Sequence, residues 1–269
     1  MVNKLFKHEI AYYLKRLLPF YIILTSVAFF SRVLQIFEID SFIYDIILGS
    51  STVTYVVMNI AVLAAVTINA VVRYYKNLFT REGYLSFTLP VTAAQHILVK
   101  LSTAILFLFI TLIDMIISFA IFTAGEVFSE VIKAVDYLYN SYSTALGAHG
   151  VFYIIEVIVL FLVYCVFGLL VYYTCITIGQ LAKKNRIASA FGVYLIFYLI
   201  EQAIGTLFVI LISAFSMSER WIAFTEYIVE NIYTFVHIGF IGTAVIFAVL
   251  SLVLYLIDSH IIIKKFNLE

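Results

Sequence analysis

Charged residues are scarce in this chain of 269 residues. They make up 12% of the sequence, whereas soluble domains contain about 25%. Hydrophobic residues make up 64%, and the 16 basic and 16 acidic residues balance to a net charge of zero. That balance gives no bias toward a nucleic-acid partner. The composition therefore excludes an ordinary soluble domain and predicts an all-α, polytopic membrane protein embedded in a lipid bilayer.

Cysteine and proline are nearly absent, with two of each. Cys165 and Cys175 lie in one apolar run, and on a helix they are separated by about 15 Å along the axis. They cannot bridge to each other, which excludes a disulfide framework. Pro19 falls in the first turns of an apolar run, where proline is tolerated. Pro90 falls in a polar segment, where it is expected to interrupt a helix.

Motifs for catalysis and nucleotide binding are also missing. The sequence has no GxxxxGK[ST], HExxH, CxxC or GxSxG, and no Ser/His/Asp set follows from residue spacing. The histidines are scattered along the chain, at His8, His96, His149, His237 and His260. We therefore expect no catalytic residues, no metal site and no cofactor in this chain. If ATP drives the protein, ATP and Mg²⁺ must bind to another chain.

Six apolar runs reach the length of about 20 residues that a membrane-spanning helix needs. They cover residues 17–37, 50–72, 98–123, 151–179, 190–215 and 235–257. The first run follows a basic segment, as in a signal peptide, but it is too long and no small-residue cleavage site follows it. We therefore predict a single transmembrane domain over residues 1–269 with six retained spans.

Residues 1–16 combine apolar residues at helical spacing with basic flanks. This pattern suits an amphipathic helix that lies on the inner leaflet, where basic residues meet anionic lipids. A cytosolic extension of the first span explains the same pattern. Both interpretations are open at this point.

Basic residues predict the orientation of the spans. Thirteen fall on one side: Lys4, Lys7, Lys15, Arg16, Arg73, Lys76, Arg81, Lys100, Lys183, Lys184, Arg186, Lys264 and Lys265. Only three fall on the other side: Arg32, Lys133 and Arg220. Because basic residues concentrate in cytoplasmic loops, both termini and the loop at 73–100 are predicted to lie inside the cell.

The segment 73–100, RYYKNLFTREGYLSFTLPVTAAQHILVK, separates two apolar spans. Gly83 and Pro90 prevent one continuous helix from crossing it. Between them lies YLSFTL, which is apolar and aromatic but too short to span a bilayer. Thr92 and Gln95 form a predicted capping box, so a new helix should begin near Ala93. The segment is thus suited to contact a soluble partner, although any loop between two spans needs polar and helix-breaking residues.

The stretch REGYLSFTLPVT, flanked by an apolar span on each side, resembles the cytoplasmic loop of ABC-2-type exporter permeases of Gram-positive bacteria. The resemblance extends more weakly to LFKHEIAYYLKR near the start and to IIIKKFNLE at the end. It implies a type V exporter subunit in the bacterial plasma membrane. The implied partners are a separate ABC ATPase chain and a second copy of this chain or a sister permease. The size is similar to that of permeases for amphipathic peptides such as the phenol-soluble modulins.

In that family, the loop between the second and third spans contacts the ATPase. The resemblance therefore implies a coupling role for residues within this stretch: Arg81, Glu82, Gly83, Tyr84, Leu85, Phe87 and Pro90. The apolar side chains would form an unfavourable exposed patch in water, so we expect a partner to cover them.

Three acidic residues lie in predicted spans: Asp114, Glu156 and Glu201. An acidic residue at mid-helix costs about 2.5–3.5 kcal/mol on insertion scales, so each needs a compensating role. They are candidates for a substrate path, in the order Glu201, Asp114, Glu156 by depth in the span. The alternative is a structural pairing with Asn59, Asn69, Gln202 or a tyrosine.

Two other classes of function stay open. An ion-gradient-driven secondary transporter would use Asp114 or Glu201 to carry a proton. A membrane scaffold protein would need neither an ATPase nor a substrate path.

Overall fold

The computed structural model describes residues 2–37, 39, 41–80, 83, 91–218 and 220–265. This part of the chain contains eight α-helices and no β-strand. In chain order they are α1 (Val2–Ile36), α2 (Phe42–Phe79), α3 (Ala93–Phe122), α4 (Glu126–Leu146), α5 (Ala148–Gly179), α6 (Arg186–Ser216), α7 (Arg220–Glu230) and α8 (Ile232–Lys265). The all-helical fold class is therefore confirmed over these residues.

Six of these helices, α1, α2, α3, α5, α6 and α8, are long and apolar enough to cross a membrane. The chain is thus a multi-pass membrane protein. Each helix begins before its predicted apolar run, because the residues that precede a span continue the same helix. For example, α2 has 38 residues around the predicted run 50–72.

Helix α1 is uninterrupted over 35 residues, so residues 2–16 continue the first span. This arrangement corresponds to the extension of the span rather than to a separate helix. It also corrects the placement of Pro19, which lies in the helix interior and not in its first turns. Proline there leaves the carbonyl of Lys15 without its usual helical partner. Transmembrane helices tolerate such a site because neighbouring groups satisfy the freed backbone.

The chain divides into two units, Met1–Ala145 and Leu146–Glu269. In the first unit, α1 packs against both α2 and α3. The buried residues of α1 recur every three or four positions and form one seam: Glu9, Tyr13, Leu17, Tyr21, Leu24, Ala28 and Ser31. Tyr13 stacks on Phe107 with ring centroids 5.0 Å apart. The hydroxyls of Tyr21 and Thr111 are 2.9 Å apart, so α1 and α3 are also joined by a polar contact farther along the seam.

In the second unit, α5 is the central helix and packs against α8 and α6. A side chain added at Gly179 of α5 would come within 2.6 Å of Ala190 of α6, so glycine permits the close approach of these two helices. None of the α6 residues is buried, which leaves its apolar surface available for lipid or protein contact. The short helix α7 precedes the last span.

Candidate functional site

A buried ion cluster joins three helices at one end of the first unit. We call this end the loop end, because α1 begins, α2 ends and α3 begins there. Glu9 of α1 accepts hydrogen bonds from Arg73 Nε at 3.0 Å and Arg73 Nη2 at 3.2 Å. Lys100 Nζ of α3 donates to the same carboxylate at 3.1 Å. All three residues are at most 6% exposed.

The arginine of this cluster has a second contact, with an aromatic ring. Its guanidinium carbon lies 4.0 Å from the centroid of the Tyr12 ring, within the range of a cation–π interaction. The planar fork of Arg73 thus meets a carboxylate at its edge and an aromatic ring at its face. Arg73 and Lys100, which border the predicted coupling loop, are both anchored to α1 by one carboxylate.

Gly83 is the one predicted coupling residue that the structure describes. It is buried, and its N–H donates to the Thr80 carbonyl at 2.8 Å. A side chain at this position would come within 2.5 Å of the Leu78 carbonyl oxygen, so the backbone needs glycine here. The other predicted coupling residues lie outside the described residues: Arg81, Glu82, Tyr84, Leu85, Phe87 and Pro90.

The chain beyond this loop re-enters a helix as predicted. The Thr92 side chain accepts from the Gln95 N–H at 3.3 Å, and the Gln95 side chain accepts from the Thr92 N–H at 3.1 Å. This confirms the capping box and the start of α3 at Ala93. The loop is therefore flanked by an ion cluster and by a fixed helix start.

A second polar cluster lies in the second unit, at the end where α5 and α8 begin. His237 Nδ1 of α8 is 2.7 Å from Glu156 Oε1 of α5. Its other ring nitrogen, Nε2, is 3.0 Å from His149 Nδ1. In the tautomer in which His237 donates to Glu156 through Nδ1, its Nε2 accepts from His149.

Two tyrosines hold the histidines in place. The His149 ring stacks on Tyr233 with centroids 4.8 Å apart, and the His237 ring lies 4.4 Å from Tyr153. The Tyr153 hydroxyl donates to the Tyr233 carbonyl at 3.1 Å, which ties α5 to α8. We call the three bonded residues His149, His237 and Glu156 the histidine–carboxylate chain.

An apolar pocket of about 390 Å³ adjoins the histidine–carboxylate chain. Glu156 is the only charged residue in its wall, and all of the others are apolar: Ile155, Val159, Val163, Phe240, Ile241, Ala244, Val245 and Ala248. Glu156 Oε2 is buried and has no hydrogen-bond partner in the described part of the chain. The arrangement provides an apolar volume with one carboxylate at its wall.

The other two intramembrane acids have different surroundings. Asp114 is half-buried in the first unit, and its Oδ2 has no hydrogen-bond partner among the described residues. Glu201 is exposed on α6. Depth along the span ranks Glu201 first and Glu156 last, yet Glu156 is the acid that lines the α5/α8 pocket. The proposed structural partner Asn59 instead donates to the Tyr55 carbonyl at 2.8 Å.

Sequence reasoning missed Glu9, Asp258, the pairing of His237 with Glu156 and the contact of His149 with His237. Asp258 is fully buried on α8 and accepts a hydrogen bond from Thr174 at 3.1 Å. A signal for the histidine–carboxylate chain was present, because His149, Tyr153 and Glu156 follow the spacing of one helical face. No comparable signal pairs Glu9 with residues 64 and 91 positions away.

The helices and these two clusters define the class of the molecule as a polytopic α-helical membrane protein with ionisable groups packed between its helices. Comparison of the chain with models of known families, with curated proteins and with solved structures finds no match.

Proposed function

We propose that this chain is the permease subunit of an ATP-driven, ABC-2-type exporter in a bacterial plasma membrane. Both termini and the loop at 73–100 lie on the cytoplasmic side. Its substrates are peptides or other amphipathic molecules. The buried Glu9–Arg73–Lys100 cluster is the observation that supports this proposal most directly, because it fixes both helices that flank the coupling loop to α1.

Coupling needs a rigid connection between an ATPase and the spans. A movement imposed on the loop reaches α2 and α3 through the backbone, and Arg73 and Lys100 transmit it to α1 through Glu9. Ionic bonds in a site with little water are strong and directional, so the three helix ends move together. The ATPase is a separate chain, and a second permease subunit completes the pore.

The test is to purify the chain with its native neighbours and to measure co-purified ATPase and substrate-stimulated hydrolysis in liposomes. Tyr84→Ala with Phe87→Ala removes two predicted anchors of the loop and should cost several kcal/mol of association, as about 2 kcal/mol or more per anchor is typical of interface hot spots. The matched control is Tyr137→Ala with Phe128→Ala, two exposed residues of α4 on the opposite predicted side.

We expect the loop variant to lose the ATPase and the control to retain it. A loop variant that keeps its ATPase and its stimulated hydrolysis would refute the coupling role. A complex with a single permease subunit that transports would refute the paired pore.

The histidine–carboxylate chain favours a second candidate function, an ion-gradient-driven transporter. Intramembrane acids hydrogen-bonded to histidines form proton relays in pumps and transporters. Liposomes that contain the purified chain alone distinguish the two functions. Transport driven by a proton gradient without ATP or an ATPase would support the second candidate and exclude the first.

A further inference from the structure

We infer that the pocket between α5 and α8 binds a single-chain amphiphile whose cationic amine head pairs with Glu156. This inference names a substrate class for the proposed exporter and rests on that function for its role in transport. Binding itself is a property of the isolated chain, so it can be measured without an ATPase.

The pocket wall offers a different environment to each end of such a ligand: a carboxylate to the head and apolar side chains to the tail. Glu156 lies at one end, and Val163 lies two helical turns farther along α5, about 10 Å away along the axis. The side chains between them are apolar on both helices. A volume of about 390 Å³ falls in the range of roughly 300–1,000 Å³ for small-molecule sites. The pocket therefore suits one apolar chain rather than a folded peptide.

The charge of the head follows from the hydrogen bonds of Glu156. One oxygen already accepts from His237, whereas Oε2 is buried without a hydrogen-bond partner in the described part of the chain. A carboxylate oxygen is an acceptor only, and a buried acceptor without a donor is costly. An ammonium group supplies both the missing donor and the opposite charge. A carboxylate or phosphate head would instead be repelled.

The histidine–carboxylate chain makes this carboxylate a fixed acceptor. His237 holds Oε1, and His149 and Tyr153 hold His237, so the orientation of Glu156 is set before a ligand arrives. Among the described residues, no group of three His, Cys, Asp or Glu side chains has an arrangement that could hold a metal ion. Several wall residues are about half exposed, including Ile155, Ile241 and Val245, so a ligand can enter from the side of the unit.

The test uses three dansyl-tagged probes with the same ten-carbon chain and a free ammonium, hydroxyl or carboxylate end. Each is titrated by fluorescence into the purified chain in detergent, at a pH at which histidine side chains are neutral. We expect the ammonium probe to bind at least about tenfold tighter than the alcohol, as charge-assisted bonds predict. The carboxylate probe should bind more weakly than the alcohol.

Three variants locate the site. Glu156→Gln should reduce the preference for ammonium over alcohol to near one, while alcohol binding persists. Ala244→Phe fills the pocket and should weaken both probes about equally. Glu230→Gln removes an exposed acid of α7 that lies outside the pocket and should change neither affinity.

Equal affinity of the wild-type chain for ammonium and alcohol would overturn the inference, and this comparison needs no variant. Tighter binding of the carboxylate probe would also overturn it, because protonated histidines would then be the recognition groups. An unchanged preference in Glu156→Gln, or unchanged binding in Ala244→Phe, would place the amine elsewhere. The inference fails on any of these results even if the ATPase co-purifies, and a missing ATPase leaves the binding result intact.

Discussion

Each unit holds a carboxylate in a cluster of polar side chains between its helices, but the two carboxylates are bonded in different ways. Glu9 is 1% exposed and is bonded through both oxygens to Arg73 and Lys100. Glu156 uses one oxygen for His237 and adjoins an apolar pocket. The first carboxylate is saturated by cations from its own chain, whereas the second retains acceptor capacity next to free volume. A saturated buried ion holds helices together, and an unsaturated one beside a pocket can recognise a ligand.

The largest expected effect comes from Glu9→Gln. This change leaves the buried cations of Arg73 and Lys100 without their shared carboxylate, and breaking a buried pair costs about 3–5 kcal/mol. We expect that loss in the free energy of unfolding, measured by denaturant titration in detergent. Glu230→Gln, which makes the same change at an exposed site on α7, should stay within about 0.5 kcal/mol. Equal losses in the two variants would contradict the structural role of the cluster.

Thr174→Val tests the other fully buried carboxyl group, Asp258. The change removes one hydroxyl donor from Asp258 at nearly constant side-chain volume, with an expected loss of about 1–3 kcal/mol in unfolding free energy. Thr174→Ser keeps the hydroxyl and serves as the control. If the valine variant is as stable as the serine variant, the hydrogen bond does not stabilise the α5/α8 pair.

Arg73→Lys keeps the charge of the ion cluster and removes its planar fork. The variant loses one of the two bonds to Glu9 and the contact with the Tyr12 ring, so we expect a cost of about 1–2 kcal/mol in unfolding free energy. Arg16→Lys is the matched control, because Arg16 is exposed on α1 and also lies near Tyr12. A lysine variant at position 73 with parental stability would show that the fork geometry is dispensable.

His237→Phe should have the smallest effect on stability. The new ring can still stack near Tyr153, but the donor to Glu156 is lost, at a cost of about 1 kcal/mol for a partly exposed pair. His260→Phe, at an exposed position on the same helix, is the control. We expect His237→Phe to lower the midpoint of thermal unfolding more than His260→Phe does. If His237→Phe lowered the free energy of unfolding more than Glu9→Gln does, the cluster of the second unit, and not that of the first, would be the stabilising one.

Local signals in the sequence were sufficient for much of the fold. Hydrophobic length predicted six spans, and the spacing of Thr92 and Gln95 predicted the start of α3, because both depend on residues close together in the chain. The boundary of α1 was harder to place. Its first turns are polar and resemble a separate segment, although the helix continues through Pro19.

The sites depend on pairs that are distant in sequence. Glu156 meets His237 across 81 positions, and Glu9 meets Lys100 across 91. Periodicity indicates which face of a helix is special, but it does not identify the helix that packs against that face. The depth of an acidic residue along its span was a poor guide to its surroundings, because depth also does not identify the neighbouring helix. Glu201 lies deeper in its span, yet α6 has no buried residue, while Glu156 contacts α8 through His237.

Thermal unfolding at increasing concentrations of the ammonium probe tests the contrast most directly. The midpoint without probe reports stability, and its rise with probe reports affinity for the folded state. We predict that Arg73→Lys lowers the midpoint and keeps the probe-dependent rise, whereas Glu156→Gln keeps the midpoint and loses the rise. If the two variants behave alike, or if Arg73→Lys abolishes the rise, the two carboxylate sites do not have separate roles.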